Sequence, residues 1–230
     1  MLYSLLQYLV RKIKGEKFSL DKNIPLSYYA ALIVEFSIAF ARGLLYFPLR
    51  KGKVFIKKSA VLKARSLINY RNALVINRGC YIDALSKEGI VFGDKCSVGK
   101  YTCIECTGSL QDIGLGLSVG DRTSIGSHSF LGCAGGVSIG NDVIMGNFVS
   151  IHSENHNFNN SSISIRKQGI NRIGIKIGNN CWVGAKVTIL DGVVVEDGCV
   201  IAAGALLTQG LYLSNGIYGG VPAKRIKNRC

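Results

Sequence analysis

The chain has 230 residues and carries 28 Lys and Arg against 14 Asp and Glu, a net charge of +14, with 28 Gly and only 3 Pro. This length allows one sizeable hydrophobic core, and the composition excludes a collagen-like or low-complexity chain. Residues 1–65 hold 13 of the basic and 3 of the acidic side chains, a surplus of ten positive charges. Such a surplus predicts an anionic membrane face or a phosphate-bearing substrate as partner, and no nucleic acid is expected because no reading motif accompanies the charge.

Two apolar segments precede the rest of the chain. Residues 1–14 are predicted to form a short amphipathic helix, and no cleavable signal peptide is expected because the basic run follows the apolar stretch. A second helix is predicted from Leu26 to Phe47, which is long enough to cross a bilayer, but Glu35 and Arg42 would lie on one face within the hydrocarbon. Two alternatives stay open for this helix: an amphipathic or trimer-packing helix, with residues 1–53 in contact with an anionic membrane surface, or a helix packed on the protein's own core.

From about Val54 an aliphatic side chain recurs every sixth residue, often followed by Gly. A period of six differs from the 3.6 of an amphipathic helix and the 2 of a half-buried strand. It predicts an all-β repeat fold, a hexapeptide β-helix in which each repeat is one short strand plus a corner and three repeats make one triangular coil. The predicted inward positions are Ile56, Leu62, Ile76, Ile82, Phe92, Val98, Ile104, Val119, Ile125, Leu131, Ile139, Met145, Ile151, Ile177, Val183, Ile189, Val195, Ile201 and Leu207.

A single repeat cannot bury its apolar face alone, so residues 54–210 are predicted to form one domain. The basic helical segment 1–53 precedes it, and a basic tail, 211–230, follows. Extra residues interrupt the period only after the third repeat of a coil, which places every insertion on the same edge of the prism. The largest is the polar loop 152–176, and long polar loops on a regular scaffold are typical of functional sites.

The eight cysteines are interpreted as packing residues. Cys80, Cys96, Cys181 and Cys199 each lie four residues after an inward position, where other repeats have Thr, Ser, Val or Ala. A free cysteine serves there as a small hydrophobic side chain. The lone C-x-x-C at Cys103 has no second ligand pair, so no zinc site is predicted. Thiols used for packing favour a reducing compartment, hence the cytoplasm.

The stretch IKIGNNCWVGAKVTILDGV, followed by VIAAGALLT and GGVPAKRI, resembles the hexapeptide-repeat acyltransferases. The similarity is clearest to the maltose and galactoside O-acetyltransferases and to the sugar O-acetyltransferases of bacterial polysaccharide gene clusters, and it covers about residues 54–228. It implies a left-handed parallel β-helix, which is an exception to the usual right-handed crossover. It also implies a homotrimer with active sites between neighbouring subunits and acetyl-CoA as the acyl donor.

The resemblance also implies roles for individual residues. In GNFVSIHSENH it places the catalytic histidine at His156, and it gives the backbone N–H of Ala185 to the thioester carbonyl. Asn157 follows the histidine where the family has proline, and Gln209 stands where a lysine is frequent. The positions that match contacts to CoA are Trp182, Ala185, Ala203, Gly204, Lys224 and Lys227.

Acetyl transfer from a thioester to a hydroxyl requires a base for the hydroxyl proton and a donor for the charge that develops on the thioester oxygen. A neutral histidine suits the first task near pH 7. Residues predicted to contact the acceptor are His128, His152, Glu154 and Arg166. For each of the four, an exposed side chain without a catalytic role is the alternative.

The sequence thus predicts an acetyl-CoA-dependent O-acetyltransferase acting on a sugar hydroxyl in cell-surface polysaccharide synthesis, cytoplasmic or peripheral at the inner face of the cell membrane. No metal is expected. One rival is a zinc enzyme resembling the γ-class carbonic anhydrases, which requires three histidines converging on one zinc ion across a subunit interface. The other rival is a β-helix used as a non-catalytic scaffold, for which replacing His156 would have no functional effect.

Overall fold

The computed structural model describes residue 7, residues 19–48 and residues 50–229. Apart from residue 7, the helix predicted over residues 1–14 lies outside this part of the chain. The described residues form one long α-helix, α1 (Leu26–Tyr46), two short 3-10 turns (Arg65–Leu67 and Ile165–Lys167) and 25 strands. The strands are β1 (Lys53–Ile56), β2 (Val61–Lys63), β3 (Ile68–Tyr70), β4 (Ala73–Ile76), β5 (Tyr81–Asp83), β6 (Ile90–Phe92), β7 (Cys96–Val98), β8 (Cys103–Glu105), β9 (Leu117–Val119), β10 (Ser124–Ile125), β11 (Phe130–Gly132), β12 (Val137–Ile139), β13 (Ile144–Met145), β14 (Ser150–His152), β15 (Asn155–His156), β16 (Ile170–Asn171), β17 (Ile175–Ile177), β18 (Trp182–Val183), β19 (Thr188–Ile189), β20 (Val193–Val195), β21 (Val200–Ile201), β22 (Leu206–Leu207), β23 (Gly210–Tyr212), β24 (Gly216–Gly220) and β25 (Ala223–Asn228).

Three parallel sheets form the faces of a prism. Successive strands of the chain go to sheets A, B and C in turn, so that each sheet collects one strand from every coil. Sheet A runs from β1 through β4, β7, β10, β13, β18 and β21 to β24, sheet B from β2 to β22, and sheet C from β3 to β23. This is the parallel β-helix that the hexapeptide period predicts, with the left-handed winding that the resemblance implies.

The inward positions stack in register and fill the prism. In sheet B, for example, Ile82 is aligned with Ile104, which is aligned with Leu131 and then with Ile151, and all four are fully buried. Burying one aliphatic side chain of this size stabilises a fold by roughly 1.5–3 kcal/mol, so the repeats supply the core from end to end. The predicted six-residue pattern is therefore confirmed.

The first and last coils contain more β-structure than the sequence predicts. In the first coil, Tyr70 of β3 is aligned with Phe92. At the other end Tyr212 is aligned with Val195 and Tyr218 with Ile201, and both tyrosines are buried. Tyrosines at irregular intervals hide the period there. Within the predicted tail 211–230, the described residues continue the prism through β24, and β25 pairs antiparallel with β24.

The three edges of the prism differ. At the corner between sheets A and B (the A–B corner) and at the corner between sheets C and A (the C–A corner), each turn except that between β3 and β4 uses one residue with positive φ. Every predicted insertion lies at the edge between sheets B and C (the B–C edge). The chain crosses this edge from β8 to β9, for example, and again from β14 through the hairpin strands β15 and β16 to β17. The residues with positive φ are Ser59, Gly79, Tyr101, His128, Phe148, Lys186 and Gly204 at the A–B corner, and Lys95, Arg122, Asp142, Asn180, Gly198 and Asn215 at the C–A corner.

Helix α1 covers the first coil. Its buried face includes Gly43, where an added Cβ would overlap the carbonyl of Val54, and the rings of Phe36 and Phe40 each lie 5.6 Å from that of Phe55. By length and hydropathy this helix could also cross a bilayer, and only 17% of its most apolar window is buried. Packing on the protein's own core is thus observed for one face of α1, while the opposite face is exposed.

The cysteines occupy the packing positions predicted for them. Of the seven described, all except Cys103 are buried, and none of the seven forms a disulfide. Burial raises the pKa of the Cys80 thiol to about 11, and it does the same for Cys103 and Cys181. These thiols therefore remain protonated near neutral pH.

Candidate active site

The long insertion at the B–C edge folds into a hairpin. The chain leaves sheet B after β14 and forms β15, which pairs antiparallel with β16 before sheet C resumes at β17. In this pairing His156 lies opposite Ile170. The side-chain amide of Gln168 braces the rest of the loop, since it accepts from the N–H of Asn160 and donates to the carbonyls of Asn160 and Ile163. His156 therefore lies on a paired hairpin whose loop is held by hydrogen bonds.

The residue after this histidine explains one departure from the family motif. The N–H of Asn157 donates to the carbonyl of Gly169 at 3.0 Å, and its side-chain amide donates to the carbonyl of Gln168 at 3.1 Å. Proline has no N–H to donate. An asparagine at this position therefore extends the pairing of the hairpin by one bond.

A cavity of about 260 Å³ lies between this hairpin and the outer face of sheet B. Of the predicted site residues, it brings together His152, Glu154 and His156. Its floor follows the register of the sheet, because Glu105, Gly132 and His152 are aligned partners on three successive coils. The lining consists of Glu105, Thr107, Gly108, Phe130, Gly132, Ala134, His152, Ser153, Glu154 and His156.

His152 is held as part of the cavity wall. Its Nε2 lies 2.7 Å from Ser150 Oγ, and its ring lies 5.4 Å from that of Phe130. One ring nitrogen is therefore occupied by a hydrogen bond within the sheet. His156, in contrast, is exposed on the hairpin, where its imidazole is open to a substrate.

Glu154 forms an ion pair with Arg172. It is therefore not the freely solvated loop carboxylate of the alternative prediction. Its Oε2 accepts a hydrogen bond from Arg172 Nε at 3.0 Å. Arg172 in turn donates from Nη1 to Asp112 Oδ2 at 2.7 Å. Asp112 belongs to the preceding insertion, between β8 and β9, so the pair joins two loops of the B–C edge.

Two predicted acceptor contacts lie outside the cavity of the same chain. Arg166 is on the short 3-10 turn at the outer part of the loop and is exposed. His128 is at the A–B corner, where its ring is stacked between those of Tyr101 and Phe148 with centroids 5.1 Å apart on each side. The structure therefore does not bring either residue next to His156 within one chain.

The predicted CoA contacts lie away from the insertion edge as well. Trp182 is on β18 with 57% of its side chain exposed, and Ala185 follows it at the A–B corner. Gly204, one coil further, donates its N–H to the carbonyl of Ala185 at 2.9 Å, with Ala203 beside it. Lys224 and Lys227 are exposed on β25 at the C-terminal end of the prism. One chain thus presents His156 and the predicted CoA contacts on different edges.

The three histidines do not converge within a chain. His128 is at the A–B corner, whereas His152 and His156 are at the B–C edge. Within residues 19–48, residues 50–229 and residue 7, no group of three or more His, Cys, Asp or Glu is arranged to hold a metal ion. The geometry that the zinc rival requires is therefore not met inside the described part of one chain.

Several residues of the site were not predicted, among them Glu105, Phe130 and Arg172. A signal for Glu105 was available: residues 105, 132 and 152 each follow an inward position by one residue, so the hexapeptide register alone aligns them on one outer face. No such signal exists for the pairing of Arg172 with Asp112, which are 60 residues apart on two irregular loops.

Comparisons with known sequences match the repeat region. Residues 116–152 match the family described as hexapeptide repeat of succinyl-transferase, and residues 174–209 match the bacterial transferase hexapeptide family with six repeats. A probable acetyltransferase of Mycobacterium tuberculosis is 28% identical over 93 residues, which is 40% of this chain and 31% of that protein. The chain thus matches about a third of the length of this relative.

Solved structures share the fold. An N-acyltransferase from Bacillus cereus, in complex with dTDP-4-amino-4,6-dideoxyglucose and coenzyme A, superposes with a TM-score of 0.52 and 15% identity, covering 79% of this chain and 82% of that one. A maltose O-acetyltransferase from Clostridium difficile 630 is 18% identical, with a TM-score of 0.41, over 86% of this chain and 88% of the other. The two repeat matches lie within the region where the motifs indicate a resemblance to the hexapeptide-repeat acyltransferases, and they confirm that resemblance there.

Proposed function

We propose that the protein is an O-acetyltransferase that moves an acetyl group from acetyl-CoA to a hydroxyl of a saccharide, in the synthesis of a cell-surface polysaccharide. The observation that carries this proposal is an exposed histidine, His156, at the catalytic position of the family motif, held by a braced hairpin beside a polar cavity. The acetyltransferase relative and the CoA-bound structure of the same fold support the donor.

The mechanism follows from what acyl transfer requires. The neutral imidazole of His156 removes the proton of the acceptor hydroxyl as its oxygen attacks the thioester carbonyl, which is worth about 10²–10⁴-fold in rate. The backbone N–H of Ala185 donates to the oxyanion that forms, and one such donor is worth about 10²–10³-fold. When the C–S bond breaks, the proton held by His156 passes to the CoA sulfur. No covalent enzyme intermediate forms, so no cysteine needs to react.

The separation of these groups within one chain supports a site shared between subunits. His156 belongs to the B–C edge and Ala185 to the A–B corner, so we place His156 of one subunit against the A–B corner of its neighbour in a homotrimer. Trp182, Ala203 and Gly204 then line the acyl and pantetheine end of CoA. The basic side chains of Lys224 and Lys227 lie toward its nucleotide.

The exposed face of α1 supports a cytoplasmic enzyme that is peripheral at an anionic membrane. Leu45 is 78% exposed, Val34 57% and Ile38 47%. A groove of about 600 Å³ beside Val34 and Ile38 is lined on its other side by basic residues, including Lys58 and Arg78. An apolar helical face flanked by cations is the pattern by which helices bind anionic lipid surfaces.

Vesicle sedimentation tests this placement. The full chain is expected to bind vesicles containing phosphatidylglycerol and not vesicles of phosphatidylcholine alone. A Val34→Glu/Ile38→Glu variant is expected to lose that binding, whereas Leu110→Glu, at an 82% exposed site on an insertion loop, keeps it. Undiminished binding by the double variant would overturn the proposed membrane face.

Transfer of label from acetyl-CoA to a panel of acceptors tests the function itself. The panel contains free, nucleotide-linked and lipid-linked sugars, together with amino sugars as the alternative acceptor class. We expect labelled ester on a sugar hydroxyl, and a loss of about 10²–10⁴-fold in kcat for His156→Ala with an unchanged trimer and Tm. Full activity of His156→Ala, or stable label on amino groups alone, contradicts the proposal.

A further inference from the structure

Arg172 is the most highly connected side chain of the insertion edge. Its side chain is only 14% exposed, and its three nitrogens are all used. Nε donates to Glu154 Oε2 at 3.0 Å, Nη1 to Asp112 Oδ2 at 2.7 Å, and Nη2 to the carbonyl of Asp112 at 3.3 Å. The planar guanidinium allows this forked geometry, which a lysine ammonium does not reproduce.

These bonds close the base of the hairpin that carries His156. Asn155 pairs with Asn171 and His156 with Ile170, so Glu154 and Arg172 are the next residues of the two strands toward the prism. The ion pair therefore holds the strands together one step below His156.

The same side chain fastens the hairpin to the rest of the B–C edge. Asp112 lies on the insertion between β8 and β9, and its other carboxylate oxygen is 3.8 Å from Lys87 Nζ on the insertion between β5 and β6. Arg172 also lies close to Gly135, where an added Cβ would be 3.3 Å from the Arg172 Cβ. Lys87, Asp112, Glu154 and Arg172 thus link three insertions, and the backbone of a fourth, at Gly135, lies beside the Arg172 Cβ.

Hydrogen bonds link the residues on either side of the hairpin to the prism: the N–H of Ser153 donates to the carbonyl of Gly132 at 3.1 Å, and the N–H groups of Ile173 and Gly174 donate to Asp191. Strands β15 and β16 form a two-stranded sheet of their own, and the described residues give it no backbone pairing with sheets A, B or C. Glu154 and His156 nevertheless line the same cavity, with Thr107 and Gly108 of the insertion that also carries Asp112. The height of His156 above the cavity floor therefore depends also on contacts between side chains.

We propose that Arg172 is a positioning residue of the active site, which fixes the hairpin so that His156 faces the acceptor in the cavity. This inference rests on the proposed role of His156 as the general base. A displacement of about 1 Å in a catalytic group can lower a rate by about 10²-fold. Removing the guanidinium removes the ion pair at the base of the hairpin and its link to Asp112, while the pairing of β15 with β16 and the stacked coils below remain.

Steady-state kinetics of Arg172→Ala and Arg172→Lys test the inference, with Arg122→Ala as the matched control. Arg122 also makes a bidentate pair, to Asp142 with both distances 2.6 Å, but it lies at the C–A corner. For Arg172→Ala we expect kcat to fall by about 10–10²-fold with the KM for acetyl-CoA changed less than threefold. Arg172→Lys is expected to recover part of kcat, and Arg122→Ala to keep it.

Hydrogen exchange distinguishes positioning from a general loss of structure. In Arg172→Ala, exchange is expected to rise within residues 153–174 alone, with Tm close to that of Arg122→Ala. Three results would overturn the inference: kcat within twofold of the parent while His156→Ala is inactive, a loss of kcat that matches a fall in Tm, or unchanged exchange in residues 153–174. If His156→Ala itself is fully active, the proposed function fails first, which separates the two failures.

Discussion

The B–C edge and the A–B corner are built from the same coils, yet they carry different kinds of interaction. At the A–B corner the backbone turns within a few residues, and stacked coils meet through backbone hydrogen bonds such as that from His128 N–H to the Lys100 carbonyl at 2.8 Å. At the B–C edge the connections between strands are longer, and charged side chains such as Arg172 and Asp191 hold the extra residues in place. The comparison teaches that the repeat supplies stability, whereas departures from the repeat supply polar groups and space for a ligand.

Two glycine substitutions, one at the A–B corner and one at the B–C edge, give the strongest test of this difference. A Cβ added at Gly126, at the A–B corner, would overlap the backbone of Gly146, and one added at Gly135, at the B–C edge, would overlap the carbonyl of Ser153. At the corner both neighbours are fixed by the coils, so Gly126→Ala is expected to lower the free energy of unfolding by about 3 kcal/mol or more. Gly135→Ala is expected to cost less stability, because the insertion that begins at Ser153 can shift.

Activity should show the opposite order for the two variants. Since the shift at Ser153 displaces the hairpin, Gly135→Ala is expected to lower kcat at least tenfold, about the effect of a small misplacement of the base. Folded Gly126→Ala is expected to lose less kcat, because Gly126 follows β10, which lies two strands before β18 and the Ala185 corner in the order of sheet A. Chemical denaturation and single-temperature kinetics measure both. Equal losses of stability and equal losses of kcat in the two variants would show that the corner and the edge do not differ in this way.

The contrast between corner and edge also decides what could be predicted from the sequence. The inward residues Ile104, Leu131 and Ile151 were predictable because burial repeats every six residues. The place of His156 on the long insertion was predictable because that period stops after Ile151. Phe148 was not predictable as a corner residue, since bulky side chains rarely adopt positive φ. The guanidinium of Arg172 was not predictable either, because contacts between irregular loops leave no periodic trace in the sequence.

Two carboxylates that bind backbone N–H groups sharpen the comparison further. At the B–C edge, buried Asp191 accepts from the N–H of Ile173 and from that of Gly174, at 2.9 and 2.7 Å. At the C–A corner, exposed Asp197 accepts from the N–H of Asn179 at 2.6 Å. Asp191→Ala leaves two donors unpaired where water has little access, so a loss of about 2–4 kcal/mol is expected from the cost of unpaired buried groups. Asp197→Ala is expected to shift Tm less, because water replaces the carboxylate.

Acid titration tests the hydrogen bond at Asp197. The N–H of Asn179 lowers the pKa of Asp197 below its ordinary value of 3.8, so its contribution to stability is present above that pH and lost as the pH falls. Thermal melts between pH 3 and 6 should therefore show a smaller acid loss for Asp197→Ala than for the parent. A steeper acid loss in that variant would contradict the hydrogen bond.

The smallest expected effect concerns two thiols, that of Cys181, which is buried, and that of Cys103, which is partly exposed. Burial raises the pKa of Cys181 from 9.0 to about 11 and that of Cys103 likewise, so the folded chain keeps these protons where an unfolded chain loses them. Their contribution to stability is complete below pH 9 and is lost as the pH rises toward 11. In a Cys230→Ser background, we expect alkylation of the folded protein at pH 8 to be about 10²-fold slower than that of a free thiol, since only the thiolate reacts. Cys181→Ala should flatten the fall of Tm between pH 9 and 10.5, and an unchanged slope, or rapid alkylation at pH 8, would show that these cysteines are not the buried packing groups described above.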